Sequence, residues 1–84
     1  MKYQASINIM PLKEILDPQG KSVELGLKNL HIQQISNIRI GKHITLLIEA
    51  TDEKEAKLQI ETACKKLLAN VVMEEYQYSL KKID

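Results

Sequence analysis

NIRIGKHITLLIEA, Asn37 to Ala50, is the stretch whose reading decides the fold of this 84-residue chain. Ile38 and Ile40 lie on one side of an extended backbone, with Asn37 and Arg39 on the other. That is the period of a strand with one buried face. Gly41 and Lys42 then interrupt the run. Beyond them Ile44, Leu46, Ile48 and Ala50 alternate with His43, Thr45, Leu47 and Glu49. Read as strand, tight turn and strand, the segment predicts a β-hairpin whose first strand begins near Ile35.

Working outward, Tyr3, Ala5, Ile7 and Ile9 recur at every second position among polar residues and predict an N-terminal strand. Met10 to Leu16 reads as a connection. Asp17 followed by Pro18 reads as an N-cap and first helical residue, because proline has no amide hydrogen to lose there. The inward stripe of that helix is expected to be Val23, Leu27 and Leu30, with Gly26 on the same side. On the other flank, Asp52 stands three residues before Glu55 in the spacing of a capping box. Ala56, Ile60, Ala63, Cys64 and Leu67 then share one helical face, which Leu68 widens. Lys54, Lys57, Glu61 and Lys65 face water, and Asn70 is the expected stop. Tyr76, Tyr78 and Leu80 alternate with polar residues and predict a last strand. The order is βαββαβ, an α+β, ferredoxin-like plan with a four-stranded antiparallel sheet and two helices on one face. It leaves the other sheet face, where Leu47 points, without cover.

Length allows a single domain, residues 1–84. A chain of this size hides only about 60 to 65% of its unfolded surface, and its only cysteine, Cys64, permits neither an internal disulfide nor a cysteine zinc site. Oligomerisation is the remaining usual support. The 12 basic and 11 acidic residues are interleaved and leave a formal charge of +1, so there is no electrostatic footprint for nucleic acid. The chain has no Phe and no Trp to stack bases, and His43 alone stands where an RNA-binding module on this topology places aromatics. No apolar run approaches the roughly 20 residues of a membrane span, and the N-terminus lacks the pattern of a signal peptide. A cytoplasmic protein is expected.

The chemistry-bearing residues read as structural. His31 and His43 have no ligand at metal spacing, and Cys64 lies on an inward helical face with no activating neighbour. Capping accounts for Asp17, and solvated turns account for Glu14, Glu74 and Glu75. Gly20 and Gly26 lack the partners of a phosphate loop. Residues 7–20 contain no arginine, which counts against a hydrolase of the acylphosphatase type. Arg39 and Lys42, flanking Gly41, form the only compact basic feature outside a helix.

Three segments taken together carry a resemblance: LDPQGKSVELGL at Leu16 to Leu27, NIRIGKHITLLIEA at Asn37 to Ala50, and CKKLLANVVMEEYQY at Cys64 to Tyr78. With this order and spacing the chain resembles the PurS family over nearly its whole length. It departs from the family pattern at Leu25-Gly26, Val71 and Met73. The resemblance implies a non-catalytic subunit of phosphoribosylformylglycinamidine (FGAM) synthase in purine biosynthesis. In that enzyme a glutaminase subunit (PurQ) releases ammonia from glutamine. A large synthase subunit (PurL) uses ATP to activate the amide of formylglycinamide ribonucleotide for attack by that ammonia. The family member is expected to form dimers or tetramers and to bridge the other two subunits. It binds no cofactor of its own, with ATP, Mg and glutamine handled by the partners. Mapped by residue, the resemblance marks Asp17, Pro18, Gln19 and Gly20 at the helix entry, Arg39, Gly41 and Lys42 at the hairpin, and Asn70 after the second helix as candidates for partner contact. The alternative reading is a small-molecule-binding regulatory module of ferredoxin-like fold.

Overall fold

In the computed structural model, which describes residues 1–13 and 17–83, the chain folds as an α+β unit around one antiparallel sheet. The elements run β1 (Lys2–Pro11), α1 (Pro18–Asn29), β2 (Lys42–Glu49), α2 (Glu53–Ala63), a single π-helical turn (Cys64–Leu68) and β3 (Glu74–Lys82). Among the described residues the sheet has three strands, in the order β2-β1-β3. Glu14, expected in a solvated turn, and the end of the connection at Ile15 and Leu16 lie outside the described residues.

The alternation in β1 works as expected. Tyr3, Ala5, Ile7 and Ile9 are all buried under α2, with Ala56, Ile60 and Cys64 above them. Register carries the pattern sideways, pairing Ile7 with Ile44 and with Tyr78, and Ala5 with Leu46 and with Leu80. Ile44, Leu46, Tyr76, Tyr78 and Leu80 therefore pack at the borders of the same core. Leu47 points to the opposite, open face and is exposed. Asp52 caps α2, its Oδ1 accepting from the Glu55 amide at 2.8 Å; the Glu55 carboxylate takes the Thr51 hydroxyl at 2.6 Å.

The helix continues past Ala63 with a wider turn, in which the Ala69 amide donates to the Cys64 carbonyl at 3.0 Å. That turn holds one more residue than an α-turn and shifts the face that follows. Leu67, expected inside, is 82% exposed, whereas Leu68 and Ala69 turn inward. Asn70 follows the helix end, as expected.

The expected hairpin is not there. Residues 35–41 form no strand, so the four-stranded sheet is three-stranded among the described residues. The physical reason lies in the partners of two amides. Ile38 N–H donates to Glu24 Oε1 at 3.1 Å, and Ile40 N–H to Asp17 Oδ2 at 2.8 Å. The carboxylates of Glu24 and of the N-cap Asp17 thus occupy donors that a ladder with β2 would have used. The chain passes straight from this stretch into β2.

α1 accordingly does not share the core. Gly20 is its only buried residue; Val23 is 42% exposed and Leu30 69%, contrary to the inward stripe expected above. Every residue from Lys28 to Asn37 is exposed. The radius of gyration, 16.7 Å, exceeds the roughly 12 Å of a compact chain of this length, and the extents are 53 × 27 × 14 Å. α1 and the return to β2 form an arm projecting from the sheet. No helix among the described residues is long and apolar enough to cross a membrane.

Candidate functional site

The base of that arm gathers the residues singled out from sequence. Asp17 is non-helical, as an N-cap must be, and Pro18 opens α1. Its Oδ1 accepts from the Gly20 amide at 3.0 Å while Oδ2 accepts from Ile40, so one carboxylate both caps the helix and holds the returning chain. Gly20 sits where the return crosses the helix: a Cβ there would press into the Ile38 carbonyl. Gly41 sits at the next crossing, where a Cβ would press into the Ile9 carbonyl and the Met10 sulfur. It is therefore a site of close passage and not the tight turn expected. The Arg39 guanidinium donates to the Pro11 carbonyl at the end of β1.

Lys42 extends the cluster. Its Nζ lies 3.8 Å from Glu74 Oε2 and 3.5 Å from the Leu68 carbonyl. Glu74 Oε1 in turn accepts from the Asn70 amide at 2.8 Å, and the Asn70 carbonyl accepts from Glu74 at 2.7 Å. Asn70 Oδ1 caps the turn by accepting from Val72. Gln19 and Pro18 line an open cleft of about 400 Å³ with Asp17, Gly41, Lys42 and Glu74. The structure thus brings Asp17, Pro18, Gln19, Gly20, Arg39, Gly41, Lys42 and Asn70 to one end of the sheet. Two residues of this cluster were missed from sequence. Glu24, on α1, was passed over, and Glu74 read as a solvated turn residue. A glutamate four residues after an asparagine at a helix end was the available signal for Glu74.

The arrangement holds backbone in place and offers little for bond-making. Hydrogen bonds from the Gly20 amide first, then from Ile40, hold the Asp17 carboxyl below its ordinary value of 3.8. The Ile38 amide lowers Glu24 in the same way. Both are ionised acceptors at neutral pH. Elsewhere, Tyr76 donates to Glu61 at 2.7 Å, which lowers the glutamate and pushes the phenol up to about 12. Burial, helped by the Glu61 charge, raises the Cys64 thiol, the reverse of an activated nucleophile. Among the described residues no three His, Cys, Asp or Glu are grouped to hold a metal ion.

A carboxyl whose folded value lies below its unfolded one contributes stability above the unfolded value and loses it as pH falls through the folded value. The clasp is therefore expected to open in acid. In NMR titrations the Gly20 and Ile40 amide resonances should move together with a midpoint below 3.8. A midpoint at or above that value would show that the two bonds do not hold the ionised form.

A family model described as PurS: Phosphoribosylformylglycinamidine (FGAM) synthase matches residues 4–82. The chain is similar to the PurS subunit of phosphoribosylformylglycinamidine synthase from Synechocystis sp., at 39% identity over 82 residues, 98% of this chain and 82% of that one. It is similar also to the subunit from Bacillus subtilis, at 32% over 81 residues, 96% and 95% of the two chains. Among solved structures, B. subtilis PurS superposes with a TM-score of 0.88 at 32% identity, covering 95% of this chain and 99% of that one. A chain in the structure of PurLQS from Thermotoga maritima gives 0.87 at 28% identity, covering 96% and 99%.

Proposed function

The chain belongs to the PurS family of phosphoribosylformylglycinamidine synthase, and from that premise we propose that it bridges the PurL and PurQ subunits of the enzyme. It is an accessory subunit of an ATP- and glutamine-dependent ligase in purine biosynthesis, with catalysis carried by its partners. The PurLQS structure of T. maritima, with a chain that this one matches almost end to end, supports the bridging role.

The observation that carries the reading is the arm. α1 exposes Val23, Leu25 and Leu30 to water while a clasp of family-motif residues fixes its base. A helix held away from its own core gains its stability by covering something else. We assign that role to assembly, as a dimer or tetramer. The fourth strand of the ferredoxin-like plan then forms between copies, through residues 38–41 before β2. At the arm's base, Pro18, Gln19, Gly41, Lys42 and Asn70 are exposed and take the partner contacts. Asp17, Gly20 and Arg39 shape the same surface from beneath. The subunit binds no cofactor of its own; ATP, Mg and glutamine belong to the partners, and the whole enzyme works in the cytoplasm. By bridging, it also aids the passage of ammonia from glutaminase to synthase.

The test is reconstitution from purified subunits, with and without this chain. Omission is expected to reduce product formation from glutamine to near background while leaving much more of the rate supported by free ammonium. Equal losses with both nitrogen sources would replace the bridging role with one in supporting the fold of the synthase.

A further inference from the structure

β3 is nine residues long, EEYQYSLKK, and among the described residues β1 is the only strand paired with it. Its register with β1 runs unbroken from Tyr3–Lys82 to Pro11–Glu74, without a bulge, and β3 contains no proline. Exposed edges of this length are normally blunted by a bulge, a proline, a covering element or scattered charge. Here the charges are gathered at the ends, Glu74 and Glu75 at one and Lys81 and Lys82 at the other.

We infer that β3 pairs antiparallel with β3 of a second copy about a two-fold axis at Tyr78, joining the two sheets edge to edge. This rests on the self-association proposed above and adds to the arm a second contact between copies, with its edge and register. The register places Glu75 opposite Lys81 and Glu74 opposite Lys82, twice each by symmetry. Side-chain faces agree. Glu75 and Lys81 lie on the open face, while Tyr76 and Leu80, opposite each other in this register, lie on the helix face with Tyr78. Those three are half-buried in one copy and complete their cover across the axis. A parallel neighbour would instead set glutamate on glutamate and lysine on lysine, which disfavours it. Glu74 is already engaged by Lys42 and Asn70, so the discriminating pair is Glu75 with Lys81. The β2 edge offers no equivalent: Lys42 lies on the helix face and Glu49 on the open face, so no antiparallel self-pairing sets them opposite one another.

Sedimentation of the purified chain tests this with Glu75→Lys, Lys81→Glu and the double variant. Each single change converts two attractive cross-strand pairs to repulsive ones and is expected to weaken the assembly about tenfold or more. The mass should halve at concentrations where the wild type stays whole, and the double variant should restore it. In a second variant, Gln77→Cys with Ser79→Cys, mild oxidation should yield a covalent dimer. Single variants of unchanged mass, with no disulfide formed, would overturn the β3 interface while self-association stands. Dissociation that the double variant fails to reverse would overturn the register. A wild type that is monomeric at every concentration and forms no cross-link would overturn self-association itself, and this interface with it.

Discussion

Ile60→Ala is expected to leave the chain at or near the edge of unfolding. Ile60 is 1% exposed and lies on α2, in the core cluster with Ile7 and Ile9 of the central strand. Truncating a buried isoleucine to alanine costs about 2–5 kcal/mol, the higher values where neighbours cannot collapse into the space. Here β1 is fixed on both sides by full-length ladders, so collapse from below is restricted. A domain of this length has roughly 4–13 kcal/mol to lose. Urea unfolding at one fixed protein concentration reads the effect, since self-association makes stability depend on concentration. A loss below about 1 kcal/mol would mean that α2 does not close the core as described.

The glycines form the second case, because their alanine variants should move in opposite directions. No glycine here has a positive φ, so the substitutions test space and not torsion. At Gly41 the new methyl would meet the Ile9 carbonyl of the central strand, which cannot swing aside like a side chain. Gly41→Ala is expected to cost about 1–3 kcal/mol, the range for overpacking a filled site. Gly20→Ala meets the Ile38 carbonyl and the Asp17 carboxylate, and should cost a similar amount while speeding amide exchange at Ile38 and Ile40. Gly26, on the same helix as Gly20, has nothing within reach. Gly26→Ala should stabilise the isolated chain by up to about 1 kcal/mol through helix propensity. Three thermal unfolding curves distinguish the cases, and a Gly20→Ala as benign as Gly26→Ala would show that the clasp yields freely.

What could be read from sequence follows a physical line. Periodicity reports which side of an element is apolar, so β1, β2, β3 and α2 were legible, and so was Cys64 as a buried thiol. Periodicity does not report what covers that side. The stripe on α1 is real but adds nothing to the core cluster, and Ile38 and Ile40 alternate like a strand without belonging to one. Their amides go to Glu24 and Asp17, 14 and 23 residues away. A glycine beneath a backbone crossing looks the same in sequence as a glycine in a turn, which is why Gly41 read as a hairpin. The π-turn adds one residue and exchanges Leu67 for Leu68, a shift that no helical template carries. The residues marked by family resemblance do converge at one end of the sheet, yet Glu24 and Glu74 join them through backbone amides, and such bonds leave little pattern in a single sequence.

The buried thiol has a practical consequence for work on this molecule. Without tryptophan the chain lacks the usual fluorescent report of its folded state. Cys64 supplies another: it is fully covered, and burial holds it in the protonated, unreactive form. A thiol-specific dye can label it only when α2 lifts from the sheet, so the labelling rate becomes a clock for those openings. Because the residue sits on the π-helical turn facing the core, outside the arm, that clock reports on the core.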